Sequence, residues 1–295
     1  MQFGSIEAGG TKFVCAVGDE QHNLIDKMTF PTTDPEPTFQ RTIDYFRQFP
    51  DIDAISISSF GPIEIRPEAP NYGYVTNTPK PNWSNVDFLG TIKAALNVPI
   101  YWTTDVNGSA YGEFKVEEAA HSNIKSLAYY TIGTGVGAGF VLNGQFLGDQ
   151  GHPEMGHVRL KRHPHDLDFK GICPFHGDCL EGLVAGPTFE ARLGQKGQDV
   201  PFDNEVWEIM AYYIAQAALQ VTLMLRPGKI VFGGGVTSER FLEVVRRHFN
   251  SLMNNYLDVG DLQDYLTLPR VPDNGSATLG NFYLAESLYN QLQES

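Results

Sequence analysis

Two stretches, EAGGTKF at 7–13 and TIGTGVGAGF at 131–140, set clustered glycines and threonines between runs of strand-forming residues. Glycine permits positive φ and close backbone approach, and successive amides in such turns can form a concave anion site. Both turns lead into a strand, where a dinucleotide fingerprint would lead into a helix, and neither ends in the Gly-Lys-Ser/Thr of a Walker loop. A hairpin needs glycine for its own turn, so either stretch alone is equally a plain β-turn. Their matching positions are more constraining, because both could face one polyphosphate.

The surrounding elements repeat in order. In the first half FGSIEA, FVCAV and LIDKMTF predict three strands, followed by a helix in TFQRTIDYFRQF, a buried strand AISISS, a helix in VDFLGTIKAAL, a strand IYWTT and a helix starting after Asp105. In the second half SLAYYTI, GAGFVL and GQFLG predict three strands, then a long helix at 205–225, a strand KIVFG and a helix at 238–253. Hairpin strands followed by alternating helices and strands imply a mixed sheet in each half, and two similar halves imply two lobes with a cleft. A chain of 295 residues, 42% apolar, can build two such cores.

A formal charge of −14 argues against a broad basic surface for nucleic acid or anionic lipid. MQFGSIEAGG shows no export signal, and the apolar run at 210–225 is short for a membrane span and carries Gln216 and Gln220. The expectation is a cytoplasmic protein with no membrane or nucleic-acid partner. Three cysteines in a reducing compartment are poor material for disulfides, and Cys15 reads as a small buried strand residue.

Residues 152–179 hold five of the eight histidines and two of the three cysteines. Cys173, His176 and Cys179 stand three residues apart in turn, and a closed zinc site takes four nitrogen or sulfur ligands. By reach alone the fourth ligand could be His152, His157, His163 or His165. Five residues separate the cysteines, unlike a compact Cys-x-x-Cys redox pair. Elsewhere, Asp105 follows the strand IYWTT, where it could cap a helix or act as a base for phosphoryl transfer. The VFGGGV cluster, with Gly233, Gly234 and Gly235, is either a simple strand-to-helix turn or a close approach to a nucleotide.

IEAGGTKF, TTDVNGSAYGE, TIGTGVGAGF, EMGH and FGGGV, in that order, resemble the ROK family of sugar kinases over nearly the whole chain. SIEAGGTKF, SFGPIEI and YGYVTNTPKPNWSN resemble its bacterial fructokinase branch most. The resemblance implies an α/β, two-lobed, actin-like ATPase (ribonuclease H-like) fold. Its lobes would be 1–112 and 113–295, with a C-terminal helix at 276–295 packing back on the first and a zinc-binding loop at about 152–181. It implies Asp105 as general base, sugar contacts from Thr104, Asp105, Glu154, His157, Glu181, Gly61 and Pro62, and ATP on Gly9, Gly10, Thr11, Lys12, Thr131, Gly133, Thr134, Gly135, Gly137, Gly233, Gly234 and Gly235. Zinc would be structural, on His157, Cys173, His176 and Cys179, and Mg²⁺ would bind near Glu7.

The chain departs from the wider family at three places. Thr104 stands where many members have asparagine, Glu7 where many have aspartate, and His176 replaces one sulfur of the usual three cysteines. The expected activity is an ATP-dependent fructokinase forming fructose 6-phosphate, with a mannokinase or broad hexokinase as alternative. The expected assembly is a homodimer. A different class, a non-catalytic sugar sensor or DNA-binding regulator, fits less well, since the first strand begins almost at Met1 and the charge is acidic.

Overall fold

The computed structural model describes residues 1–121, 123–148 and 151–294. They divide into two compact units: one of residues 1–119, 146–152 and 271–295, the other of residues 120–145 and 153–270. The helix Asp105–Ala120 runs on unbroken past residue 112, so its later turns stay with the first unit.

The sheet of the first unit has the order Leu24–Pro31, Lys12–Asp19, Gln2–Ala8, Ala54–Ser59, Ile100–Thr104. The first three strands are antiparallel hairpin neighbours, and the last two join Gln2–Ala8 in parallel. Every residue of Ala54–Ser59 is buried, because helices cover both faces of a parallel strand. Its serines are tolerated because the helix Ser276–Glu294 supplies Asn281, whose Oδ1 accepts from Ser56 at 2.9 Å and Ser58 at 2.6 Å. That helix meets Asp105–Ala120 backbone to backbone. A Cβ on Gly112 would stand 2.0 Å from the Ser276 carbonyl oxygen, and one on Gly280 would stand 2.0 Å from that of Gly108.

On the other face Phe13, Phe39, Phe60, Trp83, Phe88 and Trp102 pack as an aromatic cluster, with Phe13, Trp83 and Phe88 fully buried. Trp83 donates its indole N–H to the Thr33 carbonyl at 2.8 Å, which anchors the TPKPNW segment to the fold.

The second sheet repeats the strand order: Gln145–Phe146, Val136–Leu142, Ser126–Ile132, Lys229–Gly233, Leu266–Thr267. The expected strand GQFLG shrinks to Gln145–Phe146, since Gly148 at φ +109° leaves extended geometry. The edge strand Leu266–Thr267 escapes sequence reading because two residues carry no alternation. The Val206–Leu225 helix is long and apolar enough to cross a membrane, yet 61% of that window is buried within the fold, as in a core helix. It packs on Glu239–Met253, capped by Ser238, whose Oγ accepts from the Phe241 amide at 3.3 Å.

Candidate functional site

Three neighbouring parallel strands of the first unit end together, with Ala8 opposite Ser59 and Ser59 opposite Thr104. The turn at Gly9–Thr11, the Gly61–Pro62 segment and Asp105 therefore leave the sheet at one carboxyl edge, where open α/β sheets place ligands. The turn is closed by the Gly9 amide donating to the Lys12 carbonyl at 3.0 Å, and the Thr32 hydroxyl donates to the Gly9 carbonyl at 2.6 Å. Gly10, Thr11, Lys12, Gly61 and Pro62 are exposed. Lys80, which sequence reasoning missed, reaches the same turn by donating to the Thr32 carbonyl at 3.1 Å. Burial raises the Glu7 carboxyl above its ordinary value, with Lys12, Lys27 and the Thr278 hydroxyl acting the other way.

Asp105 is the first residue of its helix, and Thr104 caps it. The Asn107 amide donates to Thr104 Oγ1 at 3.3 Å, while Asp105 Oδ1 accepts from the adjacent Val106 amide at 2.8 Å. The capping reading of Asp105 thus passes to its neighbour. Thr104 is buried, with its oxygen committed to that cap.

In the second unit the glycine turn Gly133–Gly135 joins Ser126–Ile132 to Val136–Leu142, and Thr131 stands opposite Gly233. The turn and the Gly233–Gly235 cluster consequently sit side by side, linked by the Val236 amide donating to the Ile132 carbonyl at 3.1 Å. Gly186 joins them, its amide donating to the Gly133 carbonyl at 2.7 Å; the Gly-Pro opening of the helix Pro187–Leu193 was the signal for it.

Glu154, His157 and Glu181 flank this turn. Glu181 Oε2 accepts from the Val136 amide at 3.0 Å, and Gly156 packs so tightly on the Val136 carbonyl that a Cβ there would stand 1.9 Å from its oxygen. The Leu180 amide donates to the Val158 carbonyl at 3.0 Å, tying the EMGH segment to Cys179 and Glu181.

The coordinating atoms of His157, Cys173, His176 and Cys179 all lie within 4.8 Å of one another. His157 Nδ1 is 3.4 Å from Cys179 Sγ and 3.8 Å from Cys173 Sγ, and His176 Nδ1 is 3.8 Å from Cys173 Sγ. Tetrahedral zinc, with bonds of about 2.3 Å to sulfur and about 2.0 Å to nitrogen, sets such atoms roughly 3.5 Å apart, so the donor set fits that ion. His163 and His165 pair with each other, and His165 with Glu205 at 2.5 Å, outside the cluster. All three cysteines are free thiols.

The model of the ROK family matches residues 3–287 of the chain. The chain belongs to the ROK family. This ROK protein is 55% identical over 290 residues to a fructokinase of Streptococcus mutans, covering 97% of the chain and 98% of that protein. It is 51% identical over 291 residues to a fructokinase of Lactococcus lactis subsp. cremoris, with 98% of each covered. The ROK hexokinase structure from Thermus thermophilus superposes with a TM-score of 0.79 over 100% of both chains at 21% identity. The ROK protein has the two-lobed actin-like ATPase fold of its structural relatives.

Proposed function

We propose that this ROK protein is an ATP-dependent fructokinase that transfers the γ-phosphate of ATP to the 6-hydroxyl of D-fructose. The observation that carries the reading is its full-length 55% identity to a fructokinase. Asp105 accepts the proton of the 6-hydroxyl as that oxygen bonds to the γ-phosphorus and the bond to the bridging oxygen of ADP breaks. The passage of the capping task to Thr104 supports this role for Asp105.

The amides and side chains of Gly9, Gly10, Thr11, Lys12, Thr131, Gly133, Thr134, Gly135 and Gly137 hold the phosphates, and Gly233, Gly234 and Gly235 admit the nucleoside. Glu7 would hold Mg²⁺ directly or through water, and the ion would neutralise charge on the terminal phosphates. Glu154, His157 and Glu181 hold sugar hydroxyls, with Thr104, Gly61 and Pro62 shaping the acceptor end. Zinc on His157, Cys173, His176 and Cys179 would supply a closed tetrahedral node. His157 Nδ1 is turned to both sulfurs, so with zinc on that nitrogen Nε2 would carry the ring proton and would donate to sugar. The cytoplasm suits this chemistry, since its reducing poise keeps both thiols available. The assembly we read is a homodimer, as the family resemblance implies.

A coupled assay over fructose, mannose, glucose and N-acetylated hexoses tests the substrate, and fructose is expected to have the highest kcat/KM. Equal turnover of all four would instead make the protein a broad hexokinase, and no turnover would make it a sugar sensor. Asp105→Asn is expected to lower kcat by roughly 10²–10⁴ while leaving the fold intact. Unchanged turnover would remove Asp105 as the base.

A further inference from the structure

The segment that carries the EMGH histidine onward, residues 158–163, is held along the Val206–Leu225 helix by three polar side chains. Tyr213 Oη accepts from the His163 amide at 3.0 Å. Gln216 Oε1 accepts from the Lys161 amide at 2.9 Å, while its Nε2 donates to the Lys161 carbonyl at 3.0 Å. Gln220 Nε2 donates to the Arg159 carbonyl at 3.1 Å. Spacings of three and four residues put these groups on one helical face. The segment is thus fixed to the core through its backbone, and its arginines are aimed accordingly.

Arg159 and Arg162 both reach Asp178, which stands between His176 and Cys179. Arg159 Nη1 donates to Asp178 Oδ1 at 2.5 Å and to the His176 carbonyl at 3.1 Å. Arg162 Nη1 donates to Asp178 Oδ2 at 3.2 Å. The rest of the Arg162 guanidinium is fully engaged: Nε with Tyr213 Oη at 3.3 Å, and Nη2 with the carbonyls of Phe169, at 2.5 Å, and of Asp166. Behind it the Asp166 carboxylate takes a fork from Arg192, with Nε and Nη2 each at 2.9 Å, and the Tyr213 hydroxyl at 2.9 Å. The Asp166 and Arg192 side chains are only 5% and 7% exposed.

None of Asp166, Arg162, Arg192 and Asp178 belongs to the four-ligand cluster. Burying such charges is costly even when they are paired, and Arg192 Nη1 has no hydrogen-bond partner among the described residues, so the cluster is weak ground for stability alone. The geometry points to Arg162 as the positioning residue of the metal loop: through Asp178 it holds His176 and Cys179 in coordinating geometry before a cation arrives, while Asp166, Arg192 and Tyr213 hold Arg162. This rests on the reading of the four side chains as a zinc site. Partners one bond beyond metal ligands set affinity in the same manner.

The test is zinc affinity of the full chain, stripped and titrated in competition with a chromophoric chelator. Five proteins are compared: the parent, Arg162→Met, Asp178→Asn, the double variant of these two, and Arg246→Met as a control for loss of a buried arginine far from the loop in sequence. Arg162→Met and Asp178→Asn are each expected to bind zinc about 10- to 100-fold more weakly. The double variant should lose no more than the larger single loss, because the two act through one contact. Arg246→Met should lower the melting temperature and leave zinc affinity unchanged. If the parent binds one zinc and both loop variants bind as tightly, the positioning role is overturned and the metal site stands. If the parent takes up no zinc, both readings fall. Should Arg162→Met not fold, Asp178→Asn, an exchange of one atom on a partly exposed side chain, decides alone.

Discussion

Glu181 Oε2 accepts the Val136 amide at 3.0 Å, which makes this carboxylate and the second glycine turn one hydrogen-bonded unit. A Cβ on Gly135 would stand 2.8 Å from the same oxygen, so the turn and the acid are fitted to each other sterically as well. Glu181→Ala therefore removes more than the sugar contact proposed for it, because it leaves the Val136 amide without its acceptor. The expected loss is about 2 kcal/mol in kcat/KM for fructose, roughly 30-fold, together with a raised KM for ATP. Glu181→Gln keeps a carbonyl acceptor and should restore the ATP KM while fructose turnover stays depressed. Steady-state kinetics with each substrate varied in turn would show this, and an unaltered ATP KM in the alanine variant would count against the coupling.

Asn281 makes four buried hydrogen bonds at the centre of the first unit. Besides the two serine hydroxyls it accepts, its Nδ2 donates to Ser5 Oγ at 3.0 Å and to the Ile6 carbonyl at 3.3 Å. Asn281→Ala orphans those groups in a dry sheet face and should cost about 3 kcal/mol in urea unfolding. Asn281→Asp should also destabilise, since the donors to Ser5 and Ile6 vanish and a charge is buried. A loss under about 0.5 kcal/mol would mean that water replaces the network.

The Arg66 guanidinium bonds Glu64 through Nε at 2.8 Å and Nη2 at 2.6 Å, and draws its carboxyl down to about 2. The folded value lies below the unfolded one, so the contribution is present above about pH 4.5 and is lost as pH falls toward 2. Glu64→Gln is expected to destabilise the protein by about 1 kcal/mol at pH 7, a modest figure because Arg66 is partly exposed to solvent. Unfolding compared at pH 7, 4 and 2.5 should show the parent and variant converging. A difference that persists at the lowest pH would assign the effect to packing.

Metal analysis of the purified chain should find about one zinc per molecule, and Cys179→Ala should abolish it. Cys179 is fully buried, so loss of the cation would leave a vacant polar pocket and a lower melting temperature. Chelation followed by differential scanning calorimetry checks this. A metal-free sample with unchanged melting and turnover would deny zinc a structural role.

Much of this architecture was open to reading along the chain. The hairpin strands, the buried run AISISS and the two glycine turns have local causes, periodicity and turn chemistry, and the structure realises them in two sheets of identical order. Cys173, His176 and Cys179 could be grouped by spacing, but spacing left four histidines competing for the fourth place. The choice of His157 needed the EMGH resemblance, and the structure brings that residue to the sulfurs through the Leu180–Val158 hydrogen bond.

Other features lay beyond any local rule. The capping task at Asp105 went to Thr104 because the strand delivers Thr104 Oγ1 beneath the Asn107 amide, a relation that depends on where the strand stops. The burial of Asp166 and Arg192 could not be read from HPHDLDF or FEARL, since their partners lie 26 and 47 residues away in sequence. Hydrophobic period and turn residues are properties of short windows and survive in the unfolded chain. The pairing of buried charges exists only once packing has removed water and brought distant segments together, and that is where the segment between His157 and Cys179 acquires its shape.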